Sequence, residues 1–564
     1  MEALAHGAHL KGVKFPRVIT SPHEMVAMCM ADGFARVTGQ PQCVLVHVDV
    51  GTQMLGCAMH NASVGRCPVI VFAGLSPFTL DGEVRGSRTE YIHWLQDAPD
   101  QKQIVSQFCR YTAEFKTGRN IKQMVNRAIQ FATSDPKGPV YLVGAREVME
   151  EDIPPYSLDQ SVWESISPVA LPPQGVETIV SVLAAAEQPL IITGYCGRNH
   201  ATVPELVKLA ENIPGVGVLD VLGSDVCFPY SHRASLGVRV GADPSIETAD
   251  VILVLDCDVT WIPTRCRPRP DAQIMHIDVD PLKQNMPLYY IPASRRYRAD
   301  AETALRQLNK YITGHPEYRD LVSREPYASR WAALADAHRK RLEEYALRAM
   351  PPADDAEPPS TSLLCANLRK TCPQDTIYCV EAVTNAPFIY DQLQVDEPGH
   401  LLNCGAGGLG WSGGGTLGVK LATDWLAGGT NKGHFVCEIV GDGTFVFGAP
   451  SAAYWIAGRY GLATLTVVLN NKVHPTGYAS KLDNKDLNIS FDPSPDYAGI
   501  AKAAAGGNAW AATVSSVGEL AKLLPEAVAQ VRKGIPAILD VRLQRSWVEG
   551  ESVAGRNRLN GHGA

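Results

Sequence analysis

Two short polar motifs in the last third of the chain have the residue types of a metal site. Gly441-Asp442-Gly443-Thr444 directly follows the apolar run "HFVCEIV", and the later run "LTVVL" ends in Asn470-Asn471. If both runs are strands of a parallel sheet, their carboxyl ends meet at the edge where open α/β folds bind ligands. A carboxylate and an amide oxygen suit Mg²⁺, which takes few protein ligands and prefers phosphate oxygens for the rest. Because glycine lets backbone N–H groups approach a phosphate, the motifs predict a magnesium–diphosphate site.

A second candidate lies near the other end of the chain, in "PHEMVAMCMA". Glu24 begins a predicted helix with almost no polar face, so we expect its carboxyl group to be carried into an apolar interior. Burial raises the proton affinity of a carboxyl group, which favours sharing a proton with a ring nitrogen. The alternative is an ordinary acid favoured by the dipole at a helix N-terminus.

His47 ends the predicted strand "CVLVHV" and faces the loop "DVGTQ". The near-neutral pKa of histidine suits a proton donor or acceptor. A histidine at a strand end is often structural, and that alternative stays open here.

Strand-length apolar runs separated by helix-length stretches predict three doubly wound parallel α/β domains in series. We place them at residues 1–152, 175–345 and 360–545, with a tail at 546–564. The Pro-rich stretches "IPPYSLDQSVWESISPVALPPQG" and "PPADDAEPPS" mark the linkers. Helices are predicted to begin at Glu24, near Gln53 and near Ile121. Strands are predicted at Val44–Val48, Val69–Ala73, Val140–Val143, Leu190–Thr193, Val251–Leu255, Ile274–Ile277, Thr376–Val380, Phe435–Val440, Leu465–Leu469 and Ala537–Val541.

Composition excludes several classes of partner. The 564 residues carry a formal net charge of -8, which argues against a nucleic-acid binder. No apolar run reaches the length of a membrane span. The 14 cysteines include no C-x-x-C pair, and most lie in apolar runs, such as Cys43, Cys257 and Cys437. We therefore expect reduced, buried thiols in a cytoplasmic protein.

The three-domain order, the GDG…NN motifs and the "HE" helix start resemble the thiamine diphosphate (ThDP) enzymes, in particular the group holding benzoylformate decarboxylase, acetolactate synthase and pyruvate decarboxylase. The resemblance spans nearly the whole chain. It implies Mg²⁺ bound by Asp442, Asn471 and the backbone carbonyl of Val473. It also implies a bulky Leu409 in "GAGGLGW" that holds the cofactor bent. Further cofactor contacts implied in this domain are Glu381 and Thr384 of "VEAVTN", Gly407, Gly441, Gly443 and Thr444.

The same resemblance implies catalytic roles in the first domain. Glu24 would hydrogen-bond the aminopyrimidine ring and shift it to the imino form, whose nitrogen takes the proton of the reactive carbon. His47 has a histidine counterpart in benzoylformate decarboxylase, and Gln96 falls where acetolactate synthases place a glutamine close to the cofactor. His93 and His474 are weaker candidates, for which structural roles are the alternative.

Two departures from the family pattern affect these expectations. After GDG, the sequence "GAPSAAYW" replaces the usual Glu-Leu-x-Thr-like helix start. The family also opens with a strand and a glycine-proline loop that precede the segment corresponding to Met1. Either the sequence is truncated at a downstream methionine, or the sheet of the first domain lacks its N-terminal strand, and both alternatives stay open.

The implied function is a ThDP- and Mg²⁺-dependent enzyme that adds the ylid to a 2-keto acid or related carbonyl substrate, followed by decarboxylation or by C–C bond cleavage or formation. The resemblance implies a site shared between two subunits, hence a homodimer at least and an expected homotetramer. The central domain holds FAD in acetolactate synthases and nothing elsewhere, and "TGYCGRN" suits either case, so FAD stays unassigned.

Two alternatives remain open. A flavin- or nicotinamide-dependent oxidoreductase would use α/β domains, but no clear G-x-G-x-x-G follows the first strand and the Asn pair stays unexplained. A catalytically weakened ThDP-binding relative is the other.

Overall fold

Three parallel β-sheets follow one another along the chain in the computed structural model, which describes residues 2–9, 15–288, 290–319, 321, 324–471, 491 and 493–544. The first sheet has four strands, the other two have six each, and all their strand pairs are parallel. The predicted architecture of three parallel α/β domains in series is confirmed. Val473, His474 and the tail 546–564 lie outside the described residues.

The elements alternate along the chain as a doubly wound fold requires. The strands are β1 (Gln42–Val46), β2 (Val69–Leu75), β3 (Tyr111–Phe115), β4 (Val140–Ala145), β5 (Pro189–Thr193), β6 (Gly217–Asp220), β7 (Ser235–Val238), β8 (Val251–Leu255), β9 (Gln273–Asp278), β10 (Arg295–Arg298), β11 (Ile377–Glu381), β12 (Leu401–Asn403), β13 (Val436–Gly441), β14 (Leu465–Asn470), β15 (Trp510–Val514) and β16 (Ala537–Arg542). The helices are α1 (Glu2–His9), α2 (Glu24–Thr38), α3 (Val48–Gln53), α4 (Gly56–Val64), α5 (Ile92–Leu95), α6 (Ile121–Thr133), α7 (Arg146–Met149), α8 (Pro173–Ala185), α9 (Thr202–Asn212), α10 (Pro244–Thr248), α11 (Ala301–Gly314), α12 (Pro316–Arg319), α13 (Tyr327–Arg348), α14 (Thr361–Thr371), α15 (Ala386–Leu393), α16 (Trp411–Leu426), α17 (Asp442–Phe447), α18 (Pro450–Tyr460), α19 (Tyr497–Ala504) and α20 (Val517–Arg532).

The first sheet has the strand order β1-β2-β4-β3. Upstream of Glu24, the described residues contain helix α1 and no strand, and β1 is the first strand of the described sheet. Strand β1 ends before the predicted Val48, because Val48 already begins α3. The prediction that Cys43 is buried was wrong: β1 is an edge strand, and Cys43 lies exposed on its open side.

The central and third sheets have the strand orders β10-β9-β8-β5-β6-β7 and β12-β11-β13-β14-β16-β15. Most residues of their inner strands are buried, and β8, with the sequence Val-Ile-Leu-Val-Leu, is buried along its whole length. Such uninterrupted aliphatic strands form because helices cover both faces of a parallel sheet.

Helix α2 of the first domain packs against helix α16 of the third domain at very short range. A Cβ atom on Gly33 would overlap the carbonyl oxygen of Gly415, and one on Gly418 would overlap that of Met30. Only glycine lets the two backbones approach so closely. The contact joins the first and third domains through a shared buried core that includes Met28.

None of the helices in the described part of the chain has the length and apolar composition needed to span a membrane.

Candidate active site

The carboxyl ends of three neighbouring strands of the third sheet carry the predicted metal and cofactor residues. Strand β13 lies between β11 and β14, with Glu381 in register with Val440 and Gly441 in register with Leu469. Asp442 directly follows β13, while Asn470 is the last residue of the adjacent β14 and Asn471 comes next, so all three residues lie at the same edge of the sheet. Parallel sheets bind ligands at this edge.

Asp442 is buried and is the first residue of α17. Its Oδ1 accepts a hydrogen bond of 2.8 Å from the backbone N–H of Gly443. Thr444, one turn into the same short helix, is also buried. A Cβ on Gly441 would find its nearest atoms at 3.8 and 4.0 Å, so this position leaves room beside the carboxylate.

The two asparagines at the end of β14 differ in their surroundings. Asn470 is buried, and its Nδ2 donates to Oδ1 of Asp540 at 2.9 Å and to Oγ of Ser494 at 3.3 Å. Its Oδ1 is buried without a hydrogen-bond partner. Asn471 is half-buried at the sheet edge. Asn470 thus ties β14 to its neighbour, and Asn471 occupies the more open position.

Glu381 has a role that the sequence did not predict. Instead of standing open at the sheet edge, its buried carboxylate accepts hydrogen bonds from the backbone N–H groups of Gly410, at 3.0 Å, and Ser412, at 2.7 Å. Burial raises the pKa of Glu381 to about 7, while these N–H groups act in the opposite direction. Glu381 therefore fixes the start of α16 and the turn that carries Leu409.

A second buried acid lies on the neighbouring strand. Glu438, in the middle of β13, accepts a 2.8 Å hydrogen bond from the hydroxyl of Thr466. Burial raises the pKa of Glu438, and the side chain of Ser412 lowers the pKa of both glutamates by hydrogen bonding. A charged residue inside the apolar run "HFVCEIV" was the signal for this network, but the sequence did not show what it would contact.

The glycine-rich turn before α16 is held from the first domain as well. Nδ2 of Asn61 donates to the carbonyl of Gly408 at 2.7 Å, and the N–H of Gly408 donates to Oδ1 of Asn61 at 3.1 Å. Gly410 has a φ of 98°, and a Cβ there would lie 2.7 Å from the backbone of Gly448, so this position requires glycine. Leu409 is half-buried and Gly407 is exposed. Sequence reasoning missed Asn61, whose signal is a single asparagine on the buried side of α4.

Glu24 is less enclosed than the sequence predicted. It begins α2 as expected, but its side chain is half-buried, so the prediction of an apolar enclosure was wrong for a single chain. A Cβ on Gly51 would lie 3.4 Å from Oε1 of Glu24, and the N–H of Gly51 donates to the carbonyl of His47 at 2.8 Å. The turn after β1 therefore brings Glu24 close to the segment that begins at His47, which is exposed.

The remaining candidates lie on loops. Gln96 ends α5 in the long connection between β2 and β3 and is half-buried. His93, one turn earlier, accepts a hydrogen bond of 3.3 Å from the backbone N–H of Thr89 through its Nδ1. Thr384 is exposed in the connection between β11 and α15. Their proximity to a shared cofactor stays a prediction.

Apolar side chains surround both groups of candidate residues and are exposed. Val50 and Met54 follow His47, with 43% and 48% of their surface open. In the third domain Val383, Val446 and Phe447 are exposed beside Thr384 and the turn of Asp442, at 59%, 43% and 54%. Exposed apolar groups next to functional residues mark surfaces that a partner or ligand covers.

A three-domain α/β fold with polar residues at the carboxyl ends of its parallel strands is typical of enzymes that bind a cofactor at this edge. Models of the thiamine pyrophosphate enzymes match the chain in all three parts: the N-terminal TPP binding domain at residues 4–104, the central domain at 176–308 and the C-terminal TPP binding domain at 382–541. The chain belongs to the family of thiamine diphosphate-dependent enzymes.

Individual relatives have low sequence identity to this chain, but the matched regions cover most of both chains. The chain is 23% identical to benzoylformate decarboxylase of Pseudomonas aeruginosa over 497 residues, covering 86% of this chain and 85% of the relative. It is 26% identical to the large subunit of acetolactate synthase isozyme 3 of Escherichia coli over 552 residues, covering 93% and 87%. The crystal structure of benzoylformate decarboxylase from Polynucleobacter necessarius has a similar fold, with a TM-score of 0.75, 17% identity and coverage of 97% and 94%.

Proposed function

We propose that the protein is a ThDP- and Mg²⁺-dependent enzyme acting on a 2-keto acid or related carbonyl substrate, as a decarboxylase or an acetolactate synthase-like carboligase. The observation that supports this most is the third-domain edge, where a buried carboxylate and an amide follow adjacent strands in a chain with TPP binding domains. Bound ThDP would supply the nucleophilic carbon that adds to the substrate carbonyl and takes up the electron pair left by bond cleavage.

The donor set of this edge fits a magnesium–diphosphate group. Asp442 offers one carboxylate and Asn471 one amide oxygen, which is the small, hard set that Mg²⁺ prefers when phosphate oxygens complete its shell. Val473 would add its backbone carbonyl. Gly441 leaves space beside the carboxylate, and Thr444 offers a hydroxyl on the same side of the turn. Gly443 completes this diphosphate-binding segment.

Residues of the glycine-rich turn would shape the cofactor. The proposed task of Leu409 is to support the bent cofactor from below, which requires a fixed backbone. Glu381 and Asn61 provide that rigidity, because their hydrogen bonds hold the residues on both sides of Leu409. Gly407 and Thr384 would contact the cofactor from exposed positions.

Glu24 would share a proton with the aminopyrimidine ring, and His47 would donate or accept a proton at the substrate. Both residues lie around the same turn of the first domain. His47 favours decarboxylation or C–C lyase chemistry over carboligation, because an imidazole can deliver the proton that replaces CO₂. Gln96 would lie nearby as a polar contact.

We also propose that two copies of the chain build each site, in a homodimer at least and a homotetramer as the complete assembly. The half-buried Glu24 and the exposed apolar side chains beside both groups of candidate residues support this, since a second copy would cover them. The 14 free thiols support a cytoplasmic location.

Thermal melting with and without ligands tests the cofactor assignment. ThDP with Mg²⁺ should raise the melting temperature of the full chain, because a ligand that binds only the folded state stabilises it. The same protein is then incubated with pyruvate, phenylpyruvate and benzoylformate, and CO₂, aldehyde and acetolactate are measured separately. If ThDP with Mg²⁺ does not raise the melting temperature, the proposal is wrong. Formation of aldehyde without acetolactate would identify a decarboxylase.

A further inference from the structure

The strand order of the central sheet creates a crevice of the kind in which doubly wound folds bind ligands. From β5 the chain moves to β6 and β7 on one side, and then returns to place β8, β9 and β10 on the other. The strand order therefore reverses between β5 and β8. Open α/β sheets bind nucleotides outside the carboxyl ends of the strands at such a point.

In this protein an arginine from the first domain fills that crevice. Arg66, which follows α4, forms an ion pair with Asp256 through Nη1. Its Nη2 lies 2.8 Å from Oδ1 of Asp258 and 3.3 Å from Oδ1 of Asp278. The guanidinium also lies 4.3 Å from the ring centre of Tyr195. One side chain thus touches the ends of β5, β8 and β9 at once.

A lysine completes the charge pattern. Nζ of Lys283 lies 2.9 Å from Oδ1 of Asp258 and 2.5 Å from Oδ2 of Asp278. The cluster therefore holds three carboxylates against two cations, all within the chain itself. The neighbouring carboxylates raise the pKa of Lys283, although burial acts in the opposite direction.

The glycines after β5 pack against other residues of the central domain and leave no open space. A Cβ on Gly194 would lie 2.7 Å from Cδ1 of Leu222, and one on Gly197 would overlap the carbonyl oxygen of Val226. These glycines allow close packing within the central domain. In a dinucleotide site, glycines at this place instead let the backbone approach a pyrophosphate.

The backbone of the cluster is strained, which a surface ion pair would not sustain. Arg66, Asp256 and Lys283 have φ values of 51°, 47° and 55°, in the left-handed region that non-glycine residues avoid. Such conformations persist where the surroundings over-determine them. Backbone hydrogen bonds hold these residues together with the ionic contacts: the N–H of Asp256 donates to the carbonyl of Ile277 at 2.9 Å, and the N–H of Arg66 donates to the carbonyl of Ser63 at 3.1 Å.

From these contacts we infer that the central domain binds neither FAD nor an adenine nucleotide, and that Arg66 acts as a fixed latch between the first and central domains. A dinucleotide would bring a diphosphate to a row of aspartates and would have to displace a half-enclosed guanidinium. Removing one partner from a buried ion cluster leaves unpaired charge in a poorly solvated place. The crevice is therefore closed, and the enzyme works without a flavin.

The first test uses purified full-length protein. It should show no flavin absorption in the visible range, and neither FAD nor ADP at millimolar concentration should raise its melting temperature. Co-purifying flavin, or a melting shift with FAD or ADP, would overturn the inference. ThDP with Mg²⁺ is run in parallel, so that a missing ThDP shift counts against the proposed function alone.

The second test addresses the latch. Arg66→Ala should lower the melting temperature by several degrees and speed proteolytic cleavage in the connection at residues 150–172, since the two domains then separate more easily. Arg85→Ala is the matched control, because Arg85 is 68% exposed and pairs at the surface. If Arg66→Ala fails to fold, it is replaced by Arg66→Lys, which keeps the positive charge but lacks the planar set of N–H donors of the guanidinium. Melting and cleavage equal to wild type would exclude the latch.

Discussion

Acidic residues follow the strands of both the central and the third sheet, at the same edge of the same kind of fold. In the third domain Asp442 and Glu381 accept hydrogen bonds from backbone N–H groups, next to space left by Gly441. In the central domain Asp256 and its neighbours are paired with the cationic side chains of Arg66 and Lys283. The comparison shows two uses of acidic residues at strand ends: in the third domain they accept hydrogen bonds from backbone N–H groups at the candidate cofactor site, and in the central domain they join an ion cluster with cationic side chains of the chain itself.

A matched pair of substitutions, one at the end of β13 and one at the end of β8, tests this comparison most directly. Asp442→Asn should abolish the melting shift with ThDP and Mg²⁺ and lower activity at least ~100-fold, because the only carboxylate proposed to bind the cation is lost. Asp256→Asn should leave the ThDP shift unchanged, since its partner is Arg66. Differential scanning fluorimetry measures both, and equal behaviour of the two variants would remove the distinction between the edges.

The proton-transfer part of the proposed site, which lies in the first domain, is tested through Glu24. Glu24→Gln should lower turnover by about 10²- to 10⁴-fold, the usual range for a lost acid–base group. The ThDP melting shift should persist, because the diphosphate end of the site is intact. Glu90→Gln, an exposed acid of the same domain, should retain full turnover. A Glu24→Gln enzyme with normal turnover would take Glu24 out of the mechanism.

The contact that brings the first domain onto the third is tested at its glycines. Gly418→Ala should destabilise the protein by about 1–3 kcal/mol, because the added methyl group meets the carbonyl of Met30. Gly56→Ala in α4 meets no atom within 4 Å and should be neutral or stabilising by up to about 1 kcal/mol. Thermal unfolding midpoints compare the two variants, and similar midpoints would contradict this tight packing.

The smallest effect concerns the pH dependence of stability. The folded protein keeps a proton on Glu381 up to a pKa of about 7, whereas the unfolded chain holds it only below about 4.3. Because the folded state binds more protons in this window, stability falls as pH rises from about 4.3 to 7.

Glu381→Gln should flatten that slope. Asp220 and Asp256, whose pKa values burial raises to about 6, contribute equally to both proteins, so the difference between their melting profiles isolates Glu381. Parallel profiles would show that Glu381 stays ionised in the folded protein.

The sequence revealed the inner part of the fold best. Runs such as Val251–Leu255 are aliphatic throughout because both faces of the sheet are covered, and the structure has β8 at the same residues. Strands that escaped prediction are mostly edge strands, such as β3, β12 and β15, which are short or half-exposed and therefore more polar. That Asp442 and the asparagines at the end of β14 lie at one edge followed from the same rule, since they lie where the two apolar runs end.

Other parts of the site could not be read from the sequence. The apolar side of α2 was visible, but a helical pattern does not say what covers its first residue, and Glu24 proved half-buried. The sequence around Arg66 does not indicate its ionic contacts, because its partners Asp256 and Asp278 lie 190 and 212 residues further along the chain. Glu381 was recognised as important, but only coordinates showed its two N–H donors.

The glycine contact between α2 and α16 also constrains how the protein is made. Its two halves are separated by most of the chain, so at about 5–20 residues per second the ribosome delivers α16 roughly 20 to 75 s after α2. During that interval Val26 and Met30, which in the finished protein share a buried cluster with Leu417 of α16, lack these third-domain neighbours. The nascent first domain therefore exposes an apolar surface on α2 until α16 has been synthesised. The first and third domains can pack against each other only after that point.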